Sequence, residues 1–177
     1  MKTEYEIRVL EINKQSIIKK LENLGAIKIG EYHQERYIYD LKPAQDNKWI
    51  RLRTDGNITT LAYKDIESNT IDGTKEVEFE VNNIEYAKEF MDKLGFKYRN
   101  FQENKRIKYL YDDVEIDIDT WPMIPTYMEI EGNSEEKVNE MIDRLKIDKA
   151  KITTLNCDDI YRKVYNIEIR KIKKLKF

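Results

Sequence analysis

Along most of this chain apolar and polar residues alternate with a period of two, the mark of strands whose successive side chains point to opposite faces. Residues 2–12 open this way, with Glu4, Glu6 and Arg8 on one face and Tyr5, Ile7 and Val9 on the other. Asn13 is placed to cap a helix in which Ile17, Ile18, Leu21 and Leu24 recur at helical spacing, and Gly25 ends it. Alternation returns from Ala26 to Asp40, as a long strand or a broken pair, and Pro43 marks residues 41–47 as a turn. Trp49 to Arg53 and Ile58 to Asp65 read as a hairpin around Asp55-Gly56-Asn57. Thr74 to Val81 is the next strand, after a polar loop.

The second helix starts at Asn83, with Ala87, Phe90, Met91 and Leu94 on one side and Gly95 as its stop. Strand-like alternation resumes through Tyr111, turns at Asp112-Asp113 and continues over residues 114–119. Pro122 and Pro125 interrupt it before Tyr127 to Glu131. Ser134 caps a third helix carrying Val138, Met141, Ile142 and Leu145, and a shorter helix lies around residues 158–165. A faint repeat runs through this order. Leu24-Gly25 leads into Arg36-Tyr37 and Tyr39-Asp40, and Leu94-Gly95 leads into Arg106, Tyr109 and Tyr111-Asp112. Two such halves predict one α+β domain over residues 1–177, an eight-stranded antiparallel sheet closed into a barrel with flanking helices.

Composition narrows the chemistry. Lys+Arg 32 against Asp+Glu 34 leaves a net charge of −2, so the domain lacks the basic excess of a nucleic-acid module. One cysteine, Cys157, excludes an intrachain disulfide framework, and one histidine, His33, excludes a histidine-rich metal centre. The basic run from Arg170 to Lys176 reads as a solvated end. With no signal peptide and no long apolar run, the expectation is a soluble cytoplasmic protein with no membrane partner.

What the alternation does not explain is the sorting of its charges. Arg8, Arg51, Arg53, Lys64 and Arg106, with Lys108 as a further candidate, are spaced for one face of successive strands. Arginine forks and lysine point charges converging in a closed groove suit linked phosphates. Glu4, Glu6, Glu76, Glu78, Glu80, Asp117, Asp119, Glu129 and Glu131 recur at the same spacing, and such hard oxygen donors suit Mg²⁺ or Mn²⁺. No Gly-rich phosphate loop occurs. The chemistry implied is phosphoryl transfer at a small triphosphate, lined by side chains and assisted by a divalent cation.

These residues together resemble the CYTH superfamily, the triphosphate tunnel metalloenzymes, whose members include class IV adenylate cyclases, thiamine triphosphatases and inorganic tripolyphosphatases. Its N-terminal ExExK signature is represented by Glu4, Glu6 and Arg8, its paired-arginine strand by Arg51 and Arg53, and its lysine strand by Lys64. Arg106, Asp119 and the pair Glu129 and Glu131 follow in the family's order, and Glu76, Glu78 and Glu80 resemble its mid-chain acidic strand. The resemblance implies phosphate contacts from Arg8, Arg51, Arg53, Lys64 and Arg106. It also implies metal contacts from Glu4, Glu6, Asp119, Glu129 and Glu131, with Glu4, Glu6, Arg8 and Glu129 at the reacting centre. Two departures stand out. Arg8 replaces a lysine and cannot act as a general base near neutral pH, and Asn104 replaces a basic residue. Hydrolysis of tripolyphosphate or an organic triphosphate is the first reading. Cyclisation of ATP is the second, although no segment declares an adenine pocket. A non-catalytic nucleotide or polyphosphate binder is the third, and a homodimer is compatible with all of them.

Overall fold

The computed structural model describes residues 1–177. Its first half runs β1 (Lys2–Val9), α1 (Lys14–Leu24), β2 (Ile27–Gln45), β3 (Lys48–Thr54) and β4 (Thr59–Ile66). The second half repeats that order as β5 (Thr74–Glu80), α2 (Ile84–Lys93), β6 (Tyr98–Tyr111), β7 (Val114–Thr120) and β8 (Tyr127–Gly132). Then come α3 (Glu135–Arg144), the short β9 (Ile152–Thr153), the turn of helix α4 (Cys157–Asp159), a π-helical turn at Ile160–Val164 and β10 (Lys174–Leu175). No helix is long and apolar enough to cross a membrane.

Eight strands close in the order β6-β2-β3-β4-β5-β1-β8-β7, and β7 pairs back onto β6, so the barrel has no free edge. Hydrophobic packing lies outside it. Ile7, Val9, Ile107, Ile116, Ile118, Met128 and Ile130 point outward against Ile17 and Leu21 of α1 and Val138, Met141, Ile142 and Leu145 of α3. Tyr39 and Leu52 pack under Met91 of α2. The opposite faces of the same strands turn inward and carry Glu4, Glu6, Arg8, Arg36, Arg51, Lys64, Glu76, Arg106 and Asp117, all buried. The period-two pattern therefore separates an oily exterior, roofed by helices, from a charged interior.

The repeat seen in the sequence is a pseudo-two-fold. Asn13 and Asn83 cap α1 and α2 through the same side-chain acceptor geometry, and Gly25 and Gly95 follow them at φ +80° and +81°. Only glycine adopts that left-handed backbone without steric cost. β1 pairs with β5, and β2 with β6, both antiparallel, which places equivalent strands side by side across the axis.

Three expectations are corrected. Residues 41–47 are not all turn: β2 runs through Gln45, and Pro43 sits within a register shift between Asp40 and Gln45, where no ladder donor is required. Phe90 and Leu94 are more than half exposed, because α2 seats on the barrel through Ile84, Ala87 and Met91. The basic tail is not simply solvated, since β10 adds to β6 and buries Leu175.

Candidate functional site

The barrel encloses a cavity of about 1050 Å³, lined by residues from all eight barrel strands and by residues 156–170. Inward-facing positions alternate along each strand, so one strand delivers two or three charges in a row. Arg8 of β1 lies between Glu6 and Glu129, with Nη2 2.7 Å from a carboxylate oxygen of each. Burial alone would lower its pKa, but Glu129 and Glu6 raise it above the usual value, so Arg8 is a fixed cation. The same pairing works on Glu129 in reverse: burial opposes ionisation, yet Arg8 and Arg106 hold its pKa far below the ordinary carboxylate range.

On the opposite wall, Arg51 Nη2 donates to Glu76 at 2.9 Å and Glu78 at 2.7 Å. Arg53 donates to Glu78 at 3.2 Å, and Lys64 Nζ reaches Glu4 at 2.8 Å and Glu76 at 3.1 Å. Burial pushes Glu4 up to about 8, partly countered by Lys64 and reinforced by Glu76 and Glu6. Burial and its acidic neighbours thus favour the protonated form of Glu4.

Arg106 is saturated. Nε donates to Asp119 Oδ1 at 2.8 Å, Nη2 to Asp119 Oδ2 at 2.5 Å, and Nη1 pairs with Asp117, while Glu129 lies 3.4 Å away. Asp119 is fully buried behind Arg106, also accepts from Asn104 at 3.2 Å, and does not line the cavity. Asp119, expected as a metal contact, braces an arginine as placed. Glu80, at the exposed end of β5, also lies outside the cavity. Glu131 and Lys108 line it, engaged with Lys2 and Glu115 respectively.

Sequence reasoning passed over Arg36. This side chain is 7% exposed and faces no carboxylate. Nη2 donates to Gln34 at 2.7 Å, the guanidinium stacks 4.7 Å over the Trp121 ring, and Nε has no partner. Burial, then Arg106 and Arg51, push its pKa down to about 10. Arg53 is pushed to about 9 by burial and by the neighbouring Arg51 and Arg36. Both are cations short of negative charge, as an anion site requires. The signal for Arg36 was its place in the repeat, equivalent to Arg106.

The acids suit a hard cation in their chemistry. Glu6, Glu131 and Glu115 stand in one cross-strand row, as do Glu129 and Asp117, and like charges directly opposite one another repel. Asp117 Oδ1 is buried with no partner. No three carboxylate, imidazole or thiolate groups converge closely enough to hold a metal on protein ligands alone. Mg²⁺-type sites take one or two carboxylates and complete their shell with water and phosphate oxygens.

Comparison with known proteins adds kinship to this geometry. The CYTH domain model matches residues 2–168. A Methanocaldococcus jannaschii protein provisionally named as an adenylate cyclase is 27% identical over 179 residues, spanning 94% of this chain and 98% of its own. A structure from Pyrococcus horikoshii superposes with a TM-score of 0.76 at 25% identity, covering 86% of this chain and 96% of that one. The fold is also shared, with a TM-score of 0.64 at 14% identity over 93% and 96% of the two chains, by a Hippeastrum protein provisionally assigned as an adenylyl cyclase, for which a dominant triphosphatase activity is described.

Proposed function

This chain belongs to the CYTH family, and on that premise we propose that it hydrolyses a triphosphate held inside the barrel with the help of Mg²⁺ or Mn²⁺. Family members are triphosphatases or adenylate cyclases that generally use divalent metals, so the chain is an enzyme whose substrate carries a triphosphate. The observation that carries the triphosphate reading is the divided interior, and hydrolysis is preferred because it needs no positioned ribose. Under-neutralised cations, Arg36 and Arg53, face a wall of crowded carboxylates across one cavity.

In this reading Arg36, Arg51, Arg53 and Lys64 bind the linked phosphates, and Arg8 and Arg106 complete the ring from the acidic side. Glu6, Glu129 and Glu131, with Glu4 beside them, would hold the divalent cation, which when bound would neutralise phosphate charge and lower the pKa of a water. Glu129, held ionised by Arg8 and Arg106, accepts a hydrogen bond from the attacking water and orients it in line with the terminal phosphorus. Water adds to that phosphorus as the bridging P–O bond breaks, giving orthophosphate and a diphosphate, and the water proton passes to a carboxylate. Arg8 has no part in proton transfer, because its paired guanidinium does not deprotonate. Asn104 donates to Asp119 rather than to phosphate.

The test is purified protein with Mg²⁺ or Mn²⁺ and, in turn, tripolyphosphate, ATP and thiamine triphosphate, with product analysis. Orthophosphate release supports hydrolysis. Cyclic AMP with pyrophosphate from ATP replaces it with the cyclase reading, and binding of all three without turnover rejects both.

A further inference from the structure

The outside of the barrel is covered unequally in the two halves. Asn13 with Gly25 and Asn83 with Gly95 align them position by position, so Ile7 and Val9 of β1 correspond to Val77 and Phe79 of β5. Both pairs stand on the outer face, alternating with the inward Glu6, Arg8, Glu76 and Glu78. Ile7 and Val9 are 3% and 2% exposed, whereas Val77 and Phe79 are 47% and 56% exposed. The difference is a helix. α3 follows β8 and packs over β1, β7 and β8. β4 is the counterpart of β8, but a loop of residues 67–73 follows it instead. The outer faces of β4 and β5 therefore lack the cover that α3 gives β8 and β1.

The helix beside this bare face differs from its counterpart in a matching way. Ser16 and Lys20 of α1 are polar, and Lys20 Nζ donates to the Leu145 carbonyl at the end of α3 at 2.6 Å. The corresponding residues of α2 are Tyr86 and Phe90, 74% and 61% exposed, and Leu94 continues their stripe at 56%. Lys88 lies over the Tyr37 ring of β2, on one flank of α2. At 3.6 residues per turn, Phe90 and Leu94 fall on the opposite flank, toward β4 and β5. An apolar-flanked ridge thus stands beside an apolar floor. Large side chains exposed singly are ordinary on a monomer, but a contiguous patch of them marks an interface.

We propose that this patch joins two copies of the chain in an isologous dimer. α2 of each copy lies on β4 and β5 of the other, in the place that α3 takes over β8 and β1. A ridge beside a floor is self-complementary, because a two-fold rotation sets each ridge on the opposite floor. A second copy is the fitting occupant because this chain carries both halves of the contact. With about 200 Å² for an aromatic side chain, the five exposed residues offer about 500 Å² per copy. Two copies then bury about 1,000 Å², enough for a specific interface.

The test is sedimentation velocity of the full-length protein, with Phe79→Glu and Phe90→Glu beside the wild type. The wild type should sediment as a dimer at micromolar concentration. Each variant should raise the dissociation constant about 30-fold or more, as for loss of a central aromatic anchor. Both side chains are exposed in the single chain, so circular dichroism spectra should not change. Amide exchange of the wild type gives a readout that needs no substitution: protection across β5 and α2 should rise with protein concentration. A wild type that stays monomeric into the high micromolar range overturns the dimer. A dimer that both variants keep, or concentration-dependent protection confined to other segments, overturns this face. If glutamate at either position unfolds the chain, the exchange experiment decides alone.

Discussion

Arg36 and Arg106 occupy the same place in the two halves of the chain, yet their surroundings are opposite in charge. Arg36 pairs in register with Arg53 on the next strand, whereas Arg106 pairs with Asp119. One step along, Ile38 faces Arg51 while Lys108 faces Asp117. On the strand beyond, Lys64 opposite Trp49 corresponds to Glu131 opposite Glu115. Between β3–β4 and β7–β8 the interior charges are inverted, so one pair of strands supplies cations and its counterpart carboxylates to a single cavity, while β1 and β5 are both acidic. A buried cation is freest to bind where the scaffold leaves it under-neutralised. In the acidic half the same guanidinium is also a strut.

This contrast breaks first under Arg106→Ala. Removing the strut leaves Asp117 and Asp119 buried without their guanidinium partner, and the unfolding free energy in metal-free buffer should drop by about 3–5 kcal/mol. Arg36→Met, by contrast, removes a desolvated charge and should leave denaturant midpoints near the wild type. If both variants lose equal stability, the distinction between strut and binding group is wrong. Arg36→Met should instead weaken tripolyphosphate binding on the order of 100-fold, as expected for truncating one partner of a buried charged contact. Next in size, Glu6→Ala should reduce divalent-cation affinity roughly tenfold and remove most turnover, with a smaller loss for Arg53→Ala at the more open charged end. An unaltered cation titration in Glu6→Ala would move the metal away from β1.

The smallest effect is a slope with pH in the metal-free protein. Glu4 is raised from 4.5 to about 8, so between those values the folded chain keeps a proton that the unfolded chain has released. Stability on this account falls as pH rises from about 4.5 to 8 and then levels. Glu129 works the other way: its stabilisation is complete above about 4.5 and is lost as pH falls below. Melting temperatures should therefore peak in mildly acid buffer, and Glu4→Gln should flatten the decline toward pH 8. A Glu4→Gln profile parallel to the wild type would show that Glu4 is ionised throughout.

Much of this architecture was legible in the sequence because a barrel imposes period two and a helix 3.6. Asn13, Gly25, Asn83 and Gly95 fixed helix ends through local capping, which needs no tertiary information. Arg51, Arg53 and Lys64 were legible as inward charges for the same reason. Periodicity cannot say which inward charge meets which, so the pairing of Asp119 with Arg106 was not legible. Arg36 was hidden because its strand carries tyrosines on one face and lone charges on the other. The short helix around residues 158–165 was legible, but the role of residues 155–171 was not, because it comes from the barrel mouth they cross.

That crossing segment touches the reacting centre at one atom pair. Arg8, held by Glu6 and Glu129, also donates from Nη1 to the Leu155 carbonyl at 3.1 Å. Occupancy of the carboxylate wall and seating of the C-terminal segment are thereby one thermodynamic cycle. Whatever draws Glu6 or Glu129 away from Arg8 alters the hold on Leu155, and whatever pins the segment steadies Arg8, by the same free energy in both directions. Cleavage by a protease near Leu155 is thus a reporter of what fills the barrel.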